Sequence, residues 1–190
     1  MPGLTPLIVS SQVRDRREHL RRPDLGQLLE PLDAERCTAL AGTGEIALVI
    51  GDGLSPWAVE RQAPRVCNLL AAGLSQDGRS LTPPVIVRHA RVAIGDEIAS
   101  RLGARVVVVF VGERPGLGTP DSMGAYLTVE PRLSRRNSER NCVSNIHAGG
   151  LQPAAAATEI LALILDGLRL GASGIVLSSS ISAAPVLPQE

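Results

Sequence analysis

One segment constrains the fold of this chain more than any other: a run of β-branched residues that ends in a loop rich in glycine and proline. The segment reads VVVVFVGERPGLGTPDSMGAYL and spans residues 106–127. A run this apolar suits a strand that is buried on both faces, as in a parallel sheet. In open α/β sheets, ligands bind beyond the carboxyl ends of the strands. The sequence therefore predicts that Glu113 and Arg114 meet a ligand. The competing interpretation is an ion pair that is solvated on a loop.

The rest of the chain alternates between strand and helix patterns. Strands are predicted near residues 6–9 (an edge strand), 46–50, 85–87, 105–111 and 125–129. Helices are predicted over residues 23–40, from residue 55 onward with a kink or break at Pro64, over 95–102, and over 153–170 with Gly171 as the C-cap. Residues 14–22 and 132–141 read as polar loops. This alternation predicts an α/β fold with a mainly parallel sheet.

The predicted organisation is one domain with two short flanking segments. We expect an N-terminal strand and loop segment over residues 1–22, an α/β domain over residues 23–177, and a disordered tail rich in serine, alanine and proline over residues 178–190. A length of 190 residues is enough for a substantial core.

Composition excludes several classes of function. Lys and Arg together number 19, as do Asp and Glu, so the formal net charge is zero and neither nucleic acid nor an acidic membrane is implied as a partner. Every basic residue is an arginine, which excludes a Schiff-base lysine and a phosphate-loop lysine. Three cysteines without a CxxC pair fit a reducing cytoplasm. No apolar stretch reaches the roughly 20 residues that a membrane span requires.

The turn Asp52-Gly-Leu-Ser55 lies between a predicted strand and a predicted helix. The amides of a helix N-terminus at this place can bind an anion. Ordinary helix capping by Asp52 or Ser55 is the competing interpretation and the one that spacing alone favours.

Several motifs together resemble one known family. They are RPDLG at 22–26, DGLS at 52–55, RV at 91–92, GDEI at 95–98, VGERPGL at 111–117, PDSMGAYLT at 120–128 and RNCVSNI at 140–146. In this order and near this spacing they resemble the small (light) subunit of adenosylcobalamin-dependent ethanolamine ammonia-lyase. The resemblance runs from about residue 14 to residue 175, which is most of the chain.

The resemblance implies a fold and a set of partners. The fold would be a Rossmann-like, three-layer α/β domain that covers adenosylcobalamin against a large subunit. That enzyme converts ethanolamine to acetaldehyde and ammonia through radicals, and its substrate site lies on the large subunit. No catalytic residue is therefore expected here.

The resemblance also implies which residues contact the cofactor. The family's cofactor-binding positions fall on Val92, Glu113 and Cys142, each in or beside a loop that follows a predicted strand. The rim of the corrin ring carries carboxamides that donate hydrogen bonds, so a carboxylate and backbone carbonyls are suitable acceptors.

His147 is a candidate cobalt ligand. Cobalamin proteins that replace the cofactor's own base use the pattern Asp-x-His-x-x-Gly, but Asn145 stands here at the Asp position. An amide would not raise the basicity of imidazole as a carboxylate does. The resembled lyase also keeps the cofactor's own base on cobalt, so we expect no metal ligand in this chain.

Two other functions stay open at this point. The first is a shortened, non-catalytic homologue that binds cobalamin or another protein. The second is an independent α/β hydrolase or transferase, although no GxSxG elbow is present to support it. Family members usually have a longer N-terminal region that contributes to subunit contacts and microcompartment targeting. The expected location is therefore the cytoplasm, with encapsulation in a bacterial microcompartment left open.

Overall fold

The structure is a computed structural model that describes residues 4–113 and 119–182. The strands are β1 (Leu7–Ser10), β2 (Ile46–Gly51), β3 (Val85–Arg88), β4 (Val106–Gly112), β5 (Met123–Val129) and β6 (Asn141–Ile146). The helices are α1 (Arg16–Arg21), α2 (Pro31–Thr38), α3 (Pro56–Gln76), α4 (Ile94–Leu102), α5 (Pro153–Leu170) and α6 (Ile175–Ser182). Two 3₁₀ turns, Leu25–Gln27 and Asn137–Glu139, complete the list.

The six strands form one mixed sheet in the order β1-β3-β2-β4-β5-β6. The first four are parallel, whereas β5 and β6 are antiparallel to their neighbours. The prediction of a mainly parallel sheet is therefore right for β1 to β4, and the edge made by β5 and β6 is the difference. Parallel neighbours need a crossover of about a dozen residues or more, usually a helix. The described residues 119–122 contain no helix, and β5 lies beside β4 in the opposite direction.

Strand β4 is the centre of two hydrophobic cores. All seven of its residues are buried, as the apolar run predicts. Alternate side chains point to opposite faces of a strand. Val106, Val108 and Phe110 pack with α3 and α5 on one face, and Val107, Val109 and Val111 pack with α4 on the other. The sheet is thus covered by helices on both faces over its central strands, which fixes the end of β4.

The largest differences from the predicted elements lie before β2. Residues 16–21 form a short helix that Asp15 caps by accepting a hydrogen bond from the amide of Glu18 (2.8 Å), so the predicted polar loop is wrong there. The predicted helix over residues 23–40 is broken. Leu28 is extended, and residues 28–30 hydrogen-bond with the end of β1. Pro31 disfavours a helical conformation at the residue before it, so α2 can begin only at Pro31.

The C-terminal half follows the predictions more closely. Helix α5 spans Pro153–Leu170 and ends at Gly171 in the left-handed conformation, as predicted. Helix α3 is continuous through Pro64, so the predicted interruption did not occur. Strand β6 was not predicted. Helix α6 reaches Ser182 and therefore enters the predicted tail. The rest of that tail lies outside the described residues, and the division into domains stays a prediction.

Candidate cofactor site at the carboxyl edge of the sheet

The strand order creates a crevice at the carboxyl ends of β2 and β4. The chain leaves β2 for β3 on one side of it, and then crosses to β4 on the other side. In open α/β sheets such a switch point is where ligands bind. A cavity of about 280 Å³ opens there. Its lining consists of Gly53, Leu54, Ala90, Arg91, Val92, Val111, Gly112, Glu113 and Tyr126.

The loop after β2 packs backbone to backbone against the end of β4. The amide of Leu54 donates to the carbonyl oxygen of Gly112 (3.0 Å). Gly53 has a φ of +51°, and a Cβ on Gly112 would lie 2.0 Å from the carbonyl oxygen of Ser55. Glycine is required at both places, for conformation at the first and for close approach at the second. The end of β4, and with it the position of Glu113, is therefore held by direct backbone contacts.

Glu113 is half-buried, and its carboxylate is already placed. Its Oε2 accepts a hydrogen bond from the hydroxyl of Ser122 (3.1 Å) and a longer one from the amide of Asn145 (3.4 Å). Its side chain lies over Gly124, where a Cβ would come within 2.3 Å of Oε1. The interpretation of Glu113 as a solvated loop residue does not match these contacts. Arg114, the other residue predicted to meet a ligand, lies outside the described residues.

A second cavity, of about 620 Å³, adjoins the first through shared residues. Arg91, Val92 and Tyr126 line both, and the second also includes Cys142. The sequence had placed Val92, Glu113 and Cys142 on three separate segments. The structure brings all three together around Tyr126, although their role toward a cofactor stays a prediction.

Cys142 lies beside the predicted loop, as the second residue of β6, a strand that was not predicted, and pairs with Tyr126. The strand was missed because Asn141, Ser144 and Asn145 have low strand propensity. Partial burial raises the pKa of the Cys142 thiol, a hydrogen bond with Tyr126 opposes this, and the nearby Glu113 carboxylate adds to it. A protonated thiol is a poor nucleophile. The thiol is therefore not activated as a nucleophile, and its contact with a cofactor stays a prediction.

The side chains of Asp52 and Ser55 make structural hydrogen bonds within the fold. The two carboxylate oxygens of Asp52 accept hydrogen bonds from the amides of His89 and Ala90, both at 2.9 Å. Ser55 occupies the N-cap position of α3, but its hydroxyl donates to the carbonyl oxygen of Pro120 (2.7 Å). Neither side chain caps α3. Both instead tie this turn to neighbouring loops at the same edge of the sheet.

His147 is buried, and both of its ring nitrogens are engaged. The amide of Gly149 donates to Nδ1 (3.1 Å), which leaves the proton on Nε2, and Nε2 lies 2.9 Å from Oδ1 of Asn145. The Asn at the position of the missing Asp therefore accepts a hydrogen bond from the imidazole Nε2–H. A Cβ on Gly150 would lie 2.5 Å from Nε2, so the turn is closely packed around the ring. This geometry supports the prediction that His147 does not bind cobalt.

A buried ion pair behind the second cavity was missed by sequence reasoning. The guanidinium of Arg140 meets the carboxylate of Asp96 through two contacts (2.7 and 2.8 Å) and also donates to the hydroxyl of Thr128 (3.0 Å). Both charged side chains are less than 5% exposed. The pair joins α4 to the residues immediately before Cys142. Its two partners stand 44 positions apart in the sequence, and no local pattern links them.

Two further arginines shape the edge of the sheet. Arg16 on α1 donates to the carbonyl oxygens of Gly53 and Leu54, both at 2.7 Å. Arg91 donates through Nη2 to the carbonyl oxygen of His19 (3.0 Å). Arg91 belongs to one of the family motifs, but no sequence pattern indicated a contact for either arginine.

The described part of the chain contains no group of His, Cys, Asp and Glu residues arranged to hold a metal ion. Within residues 4–113 and 119–182, no helix combines the length and apolar character that crossing a bilayer demands. All three cysteines are free thiols.

These features define an α/β domain with two adjoining cavities at the switch point of its sheet. The family model described as ethanolamine ammonia-lyase light chain matches residues 2–178. The chain therefore belongs to that family, and the resemblance seen in its motifs is confirmed.

Curated relatives agree with this family. An ethanolamine ammonia-lyase small subunit of Rhodopseudomonas palustris is 48% identical over 176 residues, which are 92% of this chain and 67% of the relative. The protein of the same name from Bradyrhizobium diazoefficiens is 45% identical over 186 residues (96% and 71%). The one from Ralstonia nicotianae is 42% identical over 182 residues (94% and 67%).

Proposed function

We propose that this chain is the small subunit of an adenosylcobalamin-dependent ethanolamine ammonia-lyase, and that it forms one wall of the cofactor site while a large subunit forms the other. Its family and its relatives support the ammonia-lyase assignment. The observation that carries the cofactor assignment is the convergence of Val92, Glu113 and Cys142 on one surface around Tyr126.

The chemistry of this surface fits a corrinoid. Glu113 and the neighbouring carbonyl groups are acceptors for the carboxamide donors of the corrin rim. Val92 and the ring of Tyr126 supply apolar surface between these polar groups. Cys142 and Ser144 are exposed on β6, so this part of the sheet is accessible to a large, flat ligand. When bound, adenosylcobalamin supplies the radical chemistry, and the protein supplies binding and orientation.

The division of labour follows from what the chain contains. It has no lysine, and the predicted contacts are a carboxylate that is held by hydrogen bonds, a protonated thiol and a valine. We therefore assign binding and orientation of the cofactor to this chain, and the substrate site to the large subunit.

Two finer assignments belong to the same proposal. The order β3-β2-β4, with helices on both faces, supports a Rossmann-like description of the parallel part of the sheet. We also propose a cytoplasmic location, with encapsulation in a microcompartment as the alternative. Three free cysteines fit a reducing compartment.

The deciding experiment is co-expression with the large subunit of a relative, followed by co-purification and a visible absorption spectrum after addition of adenosylcobalamin. We expect a stable complex that retains the corrinoid spectrum through gel filtration. A complex that forms but retains no corrinoid would reject the cofactor assignment. A chain that binds corrinoid but no large subunit would support the shortened, non-catalytic homologue.

The purified chain alone should release no ammonia from ethanolamine, even with adenosylcobalamin added, because it lacks the substrate site. A coupled assay for ammonia, with the reconstituted two-subunit complex as the positive control, measures this directly. Turnover by the chain free of any large subunit would refute the proposed division of labour.

His147 should not bind cobalt, because both of its ring nitrogens are committed within the turn after β6. The two-subunit complex, prepared with ¹⁵N-labelled histidine and loaded with cob(II)alamin, should give an EPR spectrum whose superhyperfine splitting matches that of the unlabelled complex. A change in the splitting on labelling would identify a histidine ligand. His147→Asn, which retains polarity, should leave the spectrum unaltered.

A further inference from the structure

The second cavity has an unusual distribution of charge. Among the residues that the structure describes, four arginines line it, namely Arg91, Arg135, Arg136 and Arg140, and no aspartate or glutamate does. Two of these charges are neutralised by carboxylates that lie outside the cavity lining. Arg140 is paired with Asp96, and Arg135 with Glu139. The guanidinium groups of the other two, Arg91 and Arg136, form no ion pair within 4 Å among residues 4–113 and 119–182, although the backbone amide of Arg136 donates to Oε2 of Glu139 (2.7 Å).

Arg91 is the more enclosed of the two. It is half-buried, its Nη2 is bound to a carbonyl oxygen, and its Nε is fully buried without a hydrogen-bond partner in the described part of the chain. Burial lowers the pKa of Arg91, and the positive charge of Arg16 lowers it further. An arginine nevertheless stays charged at neutral pH. A partly desolvated cation beside a second cation is costly unless an anion approaches it.

The local backbone adds to the positive potential. Helix α4 begins three residues after Arg91, so its N-terminus lies beside the cavity. The carboxylates in its first turn are committed elsewhere. Asp96 is paired with Arg140, and Glu97 with Arg101 and the amide of Leu29. They do not neutralise Arg91.

We propose that Arg91 and Arg136 bind the phosphodiester group of the cofactor's nucleotide side chain. This inference rests on the proposed function. The corrin side chains end in neutral carboxamides, so the phosphodiester is the anionic group that a cobalamin offers. Guanidinium groups suit phosphate because their planar donors match its oxygens. The cavity also includes Val92 and Cys142, two of the predicted cofactor contacts, so one ligand can reach both regions.

The test compares three corrinoids on the reconstituted two-subunit complex: adenosylcobinamide, adenosylcobinamide phosphate and adenosylcobalamin. The first two differ in the phosphate group alone, and binding is measured by equilibrium dialysis. Wild type should bind the phosphate form about 10- to 150-fold more tightly than cobinamide, the range of a charge-assisted hydrogen bond. Arg91→Met should remove most of this preference and leave the affinity for cobinamide unchanged.

Three further variants make the test specific. Arg91→Lys keeps the charge and should retain part of the preference. Arg136→Met changes an exposed residue, so it tests the proposal even if Arg91→Met folds poorly. Arg65→Met removes an exposed arginine on α3, away from the cavity, and should have no effect.

The outcomes separate this inference from the proposed function. Failure of the wild-type complex to bind any corrinoid would reject the proposed function and this inference with it. Equal binding of all variants to the phosphate form, with corrinoid binding intact, would reject the phosphate site alone. If Arg91→Met weakens the association with the large subunit but leaves the phosphate preference of the complex unchanged, the phosphate site is also rejected. That result would assign Arg91 to a carboxylate of the partner.

Discussion

Replacing Asp96 with alanine should lower the free energy of unfolding by about 3–5 kcal/mol, because it leaves the guanidinium of Arg140 buried without its partner. The two side chains are 3% and 4% exposed, and their contacts are 2.7 and 2.8 Å long. Urea denaturation followed by circular dichroism measures the change. A loss below about 1 kcal/mol would mean that water or another group solvates Arg140 in the variant.

An exposed ion pair is the control for this prediction, and a double variant separates the effect of charge from the effect of packing. Asp166→Ala breaks the ion pair with Arg169, which is 76% exposed, and should cost at most about 1 kcal/mol. The double variant Asp96→Leu/Arg140→Met should recover most of the lost stability, because apolar residues can replace a buried pair at little cost. Burial raises the pKa of Asp96, and the hydrogen bond and positive charge of Arg140 act in the opposite direction.

Replacing Glu113 with alanine should weaken binding of adenosylcobalamin to the two-subunit complex by about 10- to 150-fold. This range corresponds to the roughly 1.5–3 kcal/mol of a hydrogen bond to a charged group. Glu113→Gln keeps the shape and one acceptor oxygen, so its effect should be smaller. Visible-absorbance titration of the complex gives the dissociation constants.

The control for this prediction is Glu35→Ala, which removes an exposed glutamate on α2 and should leave the dissociation constant unchanged. The contacts of Glu113 with Ser122 and Asn145 allow another outcome, in which the carboxylate only orders the loops. In that case Glu113→Ala would bind the cofactor as wild type does and lose thermal stability instead. That result would withdraw Glu113 from the site.

Long, regular patterns made most of the fold predictable. Residues 153–170 form a helix with the predicted bounds. Their alanines and leucines favour a helix, and Gly171 ends it. The apolar run of β4 predicts a strand that is buried on both faces, and such a strand lies between two layers of helices. The errors occurred where tertiary contacts override local preference, as at Leu28, whose helical spacing gives way to pairing with the end of β1.

The site was predictable in part, for a related reason. The position of Glu113 after a buried strand was enough to propose it as a ligand contact. Val92 and Cys142 came from the family resemblance, since nothing in a valine or a lone cysteine indicates binding. The unpaired charge on Arg91 was not accessible from the sequence. It depends on which carboxylates the fold brings near, and the arginine-rich segment at 135–140 read only as a polar loop.

The antiparallel arrangement of β4, β5 and β6 has a consequence for how the chain folds. Glu113 directly follows β4, and Tyr126 and Cys142 lie in β5 and β6, the next two strands in sequence, so their mutual contacts close short loops at a low cost in chain entropy. Arg91 and Val92 reach the same surface only after the crossover between β3 and β4 has formed. Local contacts tend to form faster than long-range ones. The part of the surface formed by β4, β5 and β6 therefore depends on contacts between neighbouring segments of the chain, whereas the contribution of Arg91 and Val92 depends on the longer-range crossover.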